Sequence, residues 1–182
     1  MQFTLIYSSD LPPNGSVHDK WKIRREIEPQ LRRLCNTPPF DALSRRQDPN
    51  ADPSIYMGRS IRDIDFIPVL KSEHGVRAEI KILMLSSEIP GGVIHCGDID
   101  NRMKTLFDAM SIPSEQQIPS DPEFNPDRRV YCLLDDDRLI TSVTVESERN
   151  LRLNRGSREA LVVIRIRTIV FLQNAISLTI AT

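Results

Sequence analysis

The feature that most constrains this chain is the run Asp98-Ile99-Asp100-Asn101-Arg102-Met103-Lys104-Thr105-Leu106-Phe107-Asp108-Ala109-Met110, which is apolar at helical spacing and acidic at its entrance. With a helix starting near Asn101, Met103, Leu106, Phe107 and Met110 fall at i, i+3, i+4 and i+7 and make a stripe that must be buried. Asp100, Lys104 and Asp108 then line the adjoining flank at spacings of four. A second acidic run, Asp135-Asp136-Asp137, follows the apolar residues Tyr131 to Leu134. Leu139, Thr141, Val143 and Val145 come next in alternation, the pattern of a half-buried strand.

Carboxylate oxygens are the hard ligands that Mg²⁺ or Mn²⁺ prefers, and an aspartate-held magnesium is a common means of cleaving or transferring phosphoryl groups. Asp100 is equally suited to capping a helix through its side chain. Lys104 has two readings as well. One turn beyond a metal-binding carboxylate it can meet a phosphate, or it can form an ordinary surface pair with Asp100. Three adjacent aspartates repel one another, so a bound cation, a neighbouring arginine or solvent around an exposed turn must accommodate them.

The pattern Asp-x-Asp-Asn-x-x-Lys-x-x-x-Asp-Ala-Met, followed by Asp-Asp before a strand, resembles the signature of the RusA family of Holliday junction resolvases, endonucleases of prophages and bacteria. The opening Met1 to Tyr7 and the turn Leu11-Pro12-Pro13-Asn14 are similar to that family's first strand and proline turn. The resemblance implies that Asp98, Asp100 and Asp136, with Asp135 beside them, are metal ligands and that Lys104 is the catalytic lysine. It also implies one or two Mg²⁺ or Mn²⁺ ions, a homodimer, and paired nicking of a four-way DNA junction. A catalytically silent DNA-structure binder, or a phage or host interaction protein keeping the same fold, is the alternative. The altered aspartate run, a triple aspartate with Arg138 where glutamine is usual, the long link over residues 111–129 containing Pro113, Pro119, Pro122 and Pro126, and the near-neutral charge motivate it.

The formal net charge is −1, which is modest for a chain meeting phosphates, since nucleic-acid binding rests largely on lysine and arginine. Locally the balance differs. Lys20, Lys22, Arg24, Arg25, Arg32 and Arg33 crowd one predicted helix and are the candidate DNA-binding residues; a solvated helix face is the other reading of them. Arg152, Arg155 and Arg158 crowd a later loop.

A length of 182 residues with 40% hydrophobic content is enough for one domain with its own core. Cys35, Cys96 and Cys132 are scattered, which argues against a disulfide framework, and His95-Cys96 with Asp98 falls short of the four ligands zinc usually takes. No basic leader and no uninterrupted apolar span are present, so a cytoplasmic location and no membrane partner are expected.

Strands are expected at 3–7, 64–70, 76–85 and 160–171 and after the aspartates, with Glu73-His74-Gly75 closing a hairpin between the second and third. A helix is expected over 17–34, with Trp21, Ile23, Ile27 and Leu31 inward and Pro29 a point of kinking or division. Residues 37–60 and 111–129 are expected to be irregular, the former over the surface. The resulting expectation is a single α/β (α+β) domain over 1–182, a mixed sheet of about four to five strands with both helices packed on it, similar to RusA.

Overall fold

In a computed structural model, which describes residues 1–87, 99–123, 126–154 and 157–181, seven strands and three α-helices form an α/β arrangement with two mixed sheets. The strands are β1 (Gln2–Asp10), β2 (Arg59–Ile61), β3 (Ile64–Leu70), β4 (Val76–Ser86), β5 (Arg129–Leu134), β6 (Ile140–Arg149) and β7 (Glu159–Val170). The helices are α1 (Val17–Cys35), α2 (Ile99–Met110) and the short α3 (Ala175–Ala181).

The larger sheet has the order β1-β7-β4-β6, antiparallel except for the parallel β4/β6 pair. The smaller has the order β2-β3-β5, with β3 and β5 parallel. The expected hairpin between 64–70 and 76–85 therefore does not form. Both segments are strands, but Gly75, at φ 69°, turns the chain out of one sheet and into the other. The physical reason is visible in β3, which is buried at nearly every position from Phe66 to Leu70 and so needs cover on both faces.

Alternation drives the larger sheet. Leu5 and Tyr7 of β1, Ile80, Ile82 and Met84 of β4, and Val162, Ile164 and Ile166 of β7 share one buried core. Against them pack Ile23, Ile27 and Leu31 of α1 and Leu106 and Met110 of α2. Arg165 and Arg167 point the other way and are exposed, Arg167 lying 3.4 Å from Glu79.

The helix α1 starts at a capping box between Ser16 and Asp19 and runs unbroken through Pro29 for 19 residues. One expectation about the irregular segments needs correcting, and the other gains detail. Residues 37–60 do more than cover the surface, because Phe40, Leu43 and Met57 enter the core. The 111–129 link is irregular but anchored: Ile118 joins Trp21, Phe66, Val130 and Cys132 in a second cluster, and Arg62 donates to the carbonyls of Ile118 and Pro119.

Candidate active site around α2 and the acidic run

Helix α2 begins two residues earlier than the apolar spacing suggests. Asp100 therefore lies inside its first turn instead of at the cap, where a carboxylate is favoured by the helix dipole. Met103, Leu106 and Met110 are buried as expected, Phe107 is partly buried, and Thr105 and Ala109 complete the inner face. Asp100 and Lys104 are both exposed, one turn apart on the same flank. Asp98, the other half of the Asp-x-Asp pair, lies outside the described residues, as do His95 and Cys96.

The N-terminal half of α2 is held by the turn that follows β1. Arg102 donates to the carbonyl of Leu11, and the Gly15 amide donates to the Thr105 hydroxyl at 2.8 Å. A Cβ on Gly15 would come within 2.5 Å of the Thr105 methyl, so only glycine allows this approach. Sequence reading alone did not single out Arg102, Thr105 or Gly15 for this role.

The C-terminal half is clamped to α1. Lys20 is 2.7 Å from the Asp108 carboxylate, and Arg24 donates through Nη2 to the carbonyls of Asp108 and Ser111. Immediately beyond the helix, Ser111 bridges to Leu134, and the Ile112 amide donates to the Leu134 carbonyl at 3.1 Å. The acidic run thus follows a strand that meets the far end of α2. A rise of about 1.5 Å per residue puts the Asp100 backbone roughly 16 Å from that of Ser111.

Each acid in the run has its own surroundings. The Asp135 amide donates to the Leu70 carbonyl at 2.9 Å, and its carboxylate is 3.5 Å from Arg59. Asp136 caps the turn that follows, accepting from the Arg138 amide at 2.9 Å. The Arg138 guanidinium also grips both Asp136 oxygens at 2.9 Å. That fork, with the amide bond beside it, holds the Asp136 carboxyl down at a pKa of about 2. Asp137 is exposed. Arginines accordingly supply the positive charge this run requires. Nothing in the sequence marked Arg59, which is exposed and comes from the distant strand β2.

Among the described residues no three Asp, Glu, His or Cys side chains gather closely enough to hold a metal ion. The donor type suits a hard divalent cation, with Asp100, Asp135 and Asp136 on two segments and Asp98 preceding the first. Arg138 takes three of the roughly four acceptor sites of the Asp136 carboxylate, so a metal ion there would compete with the fork.

Four of the six basic candidates on α1 have intramolecular partners. Lys20 pairs with Asp108, and Arg25 pairs with Glu123. Arg32 meets Glu28 at 2.8 Å, Asp127 at 2.6 Å and the Arg129 carbonyl at 2.8 Å. Burial alone would lower the Arg32 pKa, but the two carboxylates outweigh it and raise it. Arg24 is 2% exposed, lies over the Trp21 ring, and has its pKa lowered by burial. Its Nε and Nη1 have no hydrogen-bond partner among the described residues. Lys22 and Arg33 are exposed. Lys22 and Arg25 border a cavity of about 460 Å³ between α1 and residues 119–123, but Glu26, Asp121 and Glu123 border it too, so its charge is mixed.

No helix among the described residues is long and apolar enough to cross a membrane. No protein-family model, curated protein or solved structure matches this chain.

Proposed function

We propose that this chain is a Mg²⁺- or Mn²⁺-dependent, structure-selective endodeoxyribonuclease that resolves four-way DNA junctions by paired nicking as a homodimer, in the manner of the RusA resolvases its central motif resembles. The observation that carries the reading is the face of α2 on which Asp100 and Lys104 stand exposed in successive turns while the motif's apolar positions are buried. Exposed polar residues anchored on a rigid, well-packed helix are suited to a task at the surface.

In this reading Asp98, Asp100 and Asp136 hold the ion, with Asp135 ligating or orienting a neighbour. The ion, when bound, supplies an activated water and neutralises charge at the scissile phosphate. Lys104 stabilises the charge that builds on the phosphate oxygens in the transition state. Lys22 and Arg33, which keep their heads in solvent, are left to meet the DNA backbone.

A synthetic four-way junction incubated with the protein and Mg²⁺ should be nicked symmetrically, and EDTA should abolish the cuts. Cleavage of flaps or other branched DNA in preference to the junction would retain the chemistry and reassign the substrate. The second reading, a DNA-structure binder without activity, is favoured by the Arg138 fork on Asp136. It predicts a gel shift of the junction with no nicks at any Mg²⁺ concentration.

A further inference from the structure

One end of the larger sheet lies beside the start of α2. Strands β1, β4 and β6 all finish there and β7 begins there, because Asp10 pairs with Glu159 and Ser86 pairs with both Ala160 and Arg149. Leu11, the first residue past β1, accepts from Arg102 of α2, and the Gly15 amide reaches the Thr105 hydroxyl. Asp100 and Lys104, which flank Arg102, therefore stand at this end, whereas the acidic run 135–137 precedes β6 at the other. With neighbouring strands about 4.8 Å apart, the four strand ends span roughly 14 Å.

The connection from β6 to β7 is fastened to this same end. The Asn150 amide donates to the Ser86 carbonyl at 2.6 Å, and the Ser87 hydroxyl donates to the Ser157 carbonyl at 2.8 Å. The Arg152 amide donates to Asn150 Oδ1 at 3.0 Å and the Leu153 amide to the Asn150 carbonyl at 3.2 Å, closing a turn whose tip, Leu151, is 84% exposed. Arg149, Arg152 and Arg158 are exposed, and Arg155 lies outside the described residues. Among the described residues none of these three joins an ion pair, in contrast to Arg25 and Arg32 of α1. Alternation sets Arg149 on the face of β6 that carries Val143 and Val145, the side on which α1 and α2 pack, and sets Asp10, Glu148 and Glu159 on the other face. The acids at the strand ends thus turn away from α2.

We propose that the β6–β7 connection is a phosphate-binding loop for DNA, in which Arg149, Arg152 and Arg158 hold the backbone next to the stretch presented to Asp100 and Lys104. The inference rests on the nuclease reading for the identity of the polyanion and adds to it the path the DNA takes. Guanidinium groups lacking carboxylate partners suit phosphate, which they meet through two parallel hydrogen bonds. Three of them beside Lys104 make a local positive field at an end of the molecule whose total charge is near neutral. An anionic lipid surface is the other polyanion that arginines around an exposed leucine would suit. The position of the loop beside the start of α2 favours DNA.

Fluorescence anisotropy of a labelled synthetic four-way junction, titrated with the full chain in EDTA so that nothing is cut, tests the assignment. Arg149→Ala, Arg152→Ala and Arg158→Ala should each weaken binding about threefold or more and lower the slope of log affinity against log salt by about 1. Arg152→Lys should keep the slope, which separates a charge contact from a structural role. Arg165→Ala, on the opposite face of the sheet, should keep both slope and affinity. Unchanged affinity and slope in all three loop variants would overturn the proposal, and loss of binding to phosphatidylserine vesicles in those variants and in Leu151→Ser would then assign the loop to a membrane. Because nicking is not read here, the two readings fail separately. A chain that binds DNA through these arginines and never cuts keeps the loop and loses the nuclease; a chain that cuts while the loop variants bind like the parent does the reverse.

Discussion

Lys20 lies 2.7 Å from the Asp108 carboxylate, and this half-buried ion pair joins α1 to the helix that carries Asp100 and Lys104. Asp108→Asn leaves the Lys20 ammonium partly desolvated without its counter-charge. The expected loss is about 1–3 kcal/mol of unfolding free energy. Urea denaturation should show a lower midpoint at unchanged slope. A midpoint within error of the parent would mean that the clamp contributes nothing.

His74 is 1% exposed, its ring enclosed in the protein interior. Burial, with Lys71 and Arg46 adding to it, pushes its pKa down to about 4. A depressed pKa for a base means that the unfolded chain binds the proton more readily, so stability falls as the pH drops from about 6.5 toward 4. The loss attributable to this residue reaches about 3 kcal/mol at the acid end. His74→Leu should flatten the dependence of melting temperature on pH between 7 and 4.5. A parent and variant with parallel pH profiles would remove His74 from the account.

For Asp136 the sign is opposite. Its folded pKa of about 2 lies below the ordinary 3.8, so the Arg138 fork helps the fold above about pH 4 and the help is lost as the pH falls toward 2. Arg138→Ala should raise the Asp136 pKa toward 3.8, as read by carboxyl NMR titration. In the nuclease reading the same variant removes the guanidinium from both carboxylate oxygens, leaving the backbone amide on Oδ1, and should lower the Mg²⁺ concentration needed for half-maximal cleavage. A higher Mg²⁺ requirement would assign Arg138 a supporting role instead.

Among the described residues the basic side chains of α1 divide into those held by intramolecular partners and the exposed Lys22 and Arg33. Lys22→Ala and Arg33→Ala should each weaken junction binding and reduce the slope of log affinity against log salt by about 1. Lys20→Ala should leave that slope unchanged, because its ammonium is committed to Asp108. Equal effects at all three positions would contradict this division.

Helices α1 and α2 and most strand positions were legible because period and burial coincide, whereas α3 was not expected. Met103, Leu106 and Met110 faced inward as their spacing implies, and Val162, Ile164, Ile166 and Thr168 did so on β7. Pairing was not legible, because alternation states which face is buried and leaves the neighbour open. The segment Phe66 to Leu70 is apolar at every position, a pattern that suits a strand covered on both sides better than one arm of an exposed hairpin. The intramolecular partners of the basic side chains on α1 were not legible for a related reason. Its partners Asp108, Glu123 and Asp127 lie about ninety residues away, and no local pattern could announce them. Val143 followed its alternation onto the core side, yet its exposure depends on where the covering layer ends.

The central claim is that separate acidic segments act together on DNA phosphate. Its most direct test is the rate of Mg²⁺-dependent nicking of a four-way junction by the parent and by Asp98→Asn, Asp100→Asn and Asp136→Asn, each checked for an unchanged melting curve. The account predicts clear cutting by the parent and a loss of at least a hundredfold in every variant. Undiminished cutting by all three, or a parent that binds the junction and leaves it intact, would contradict it.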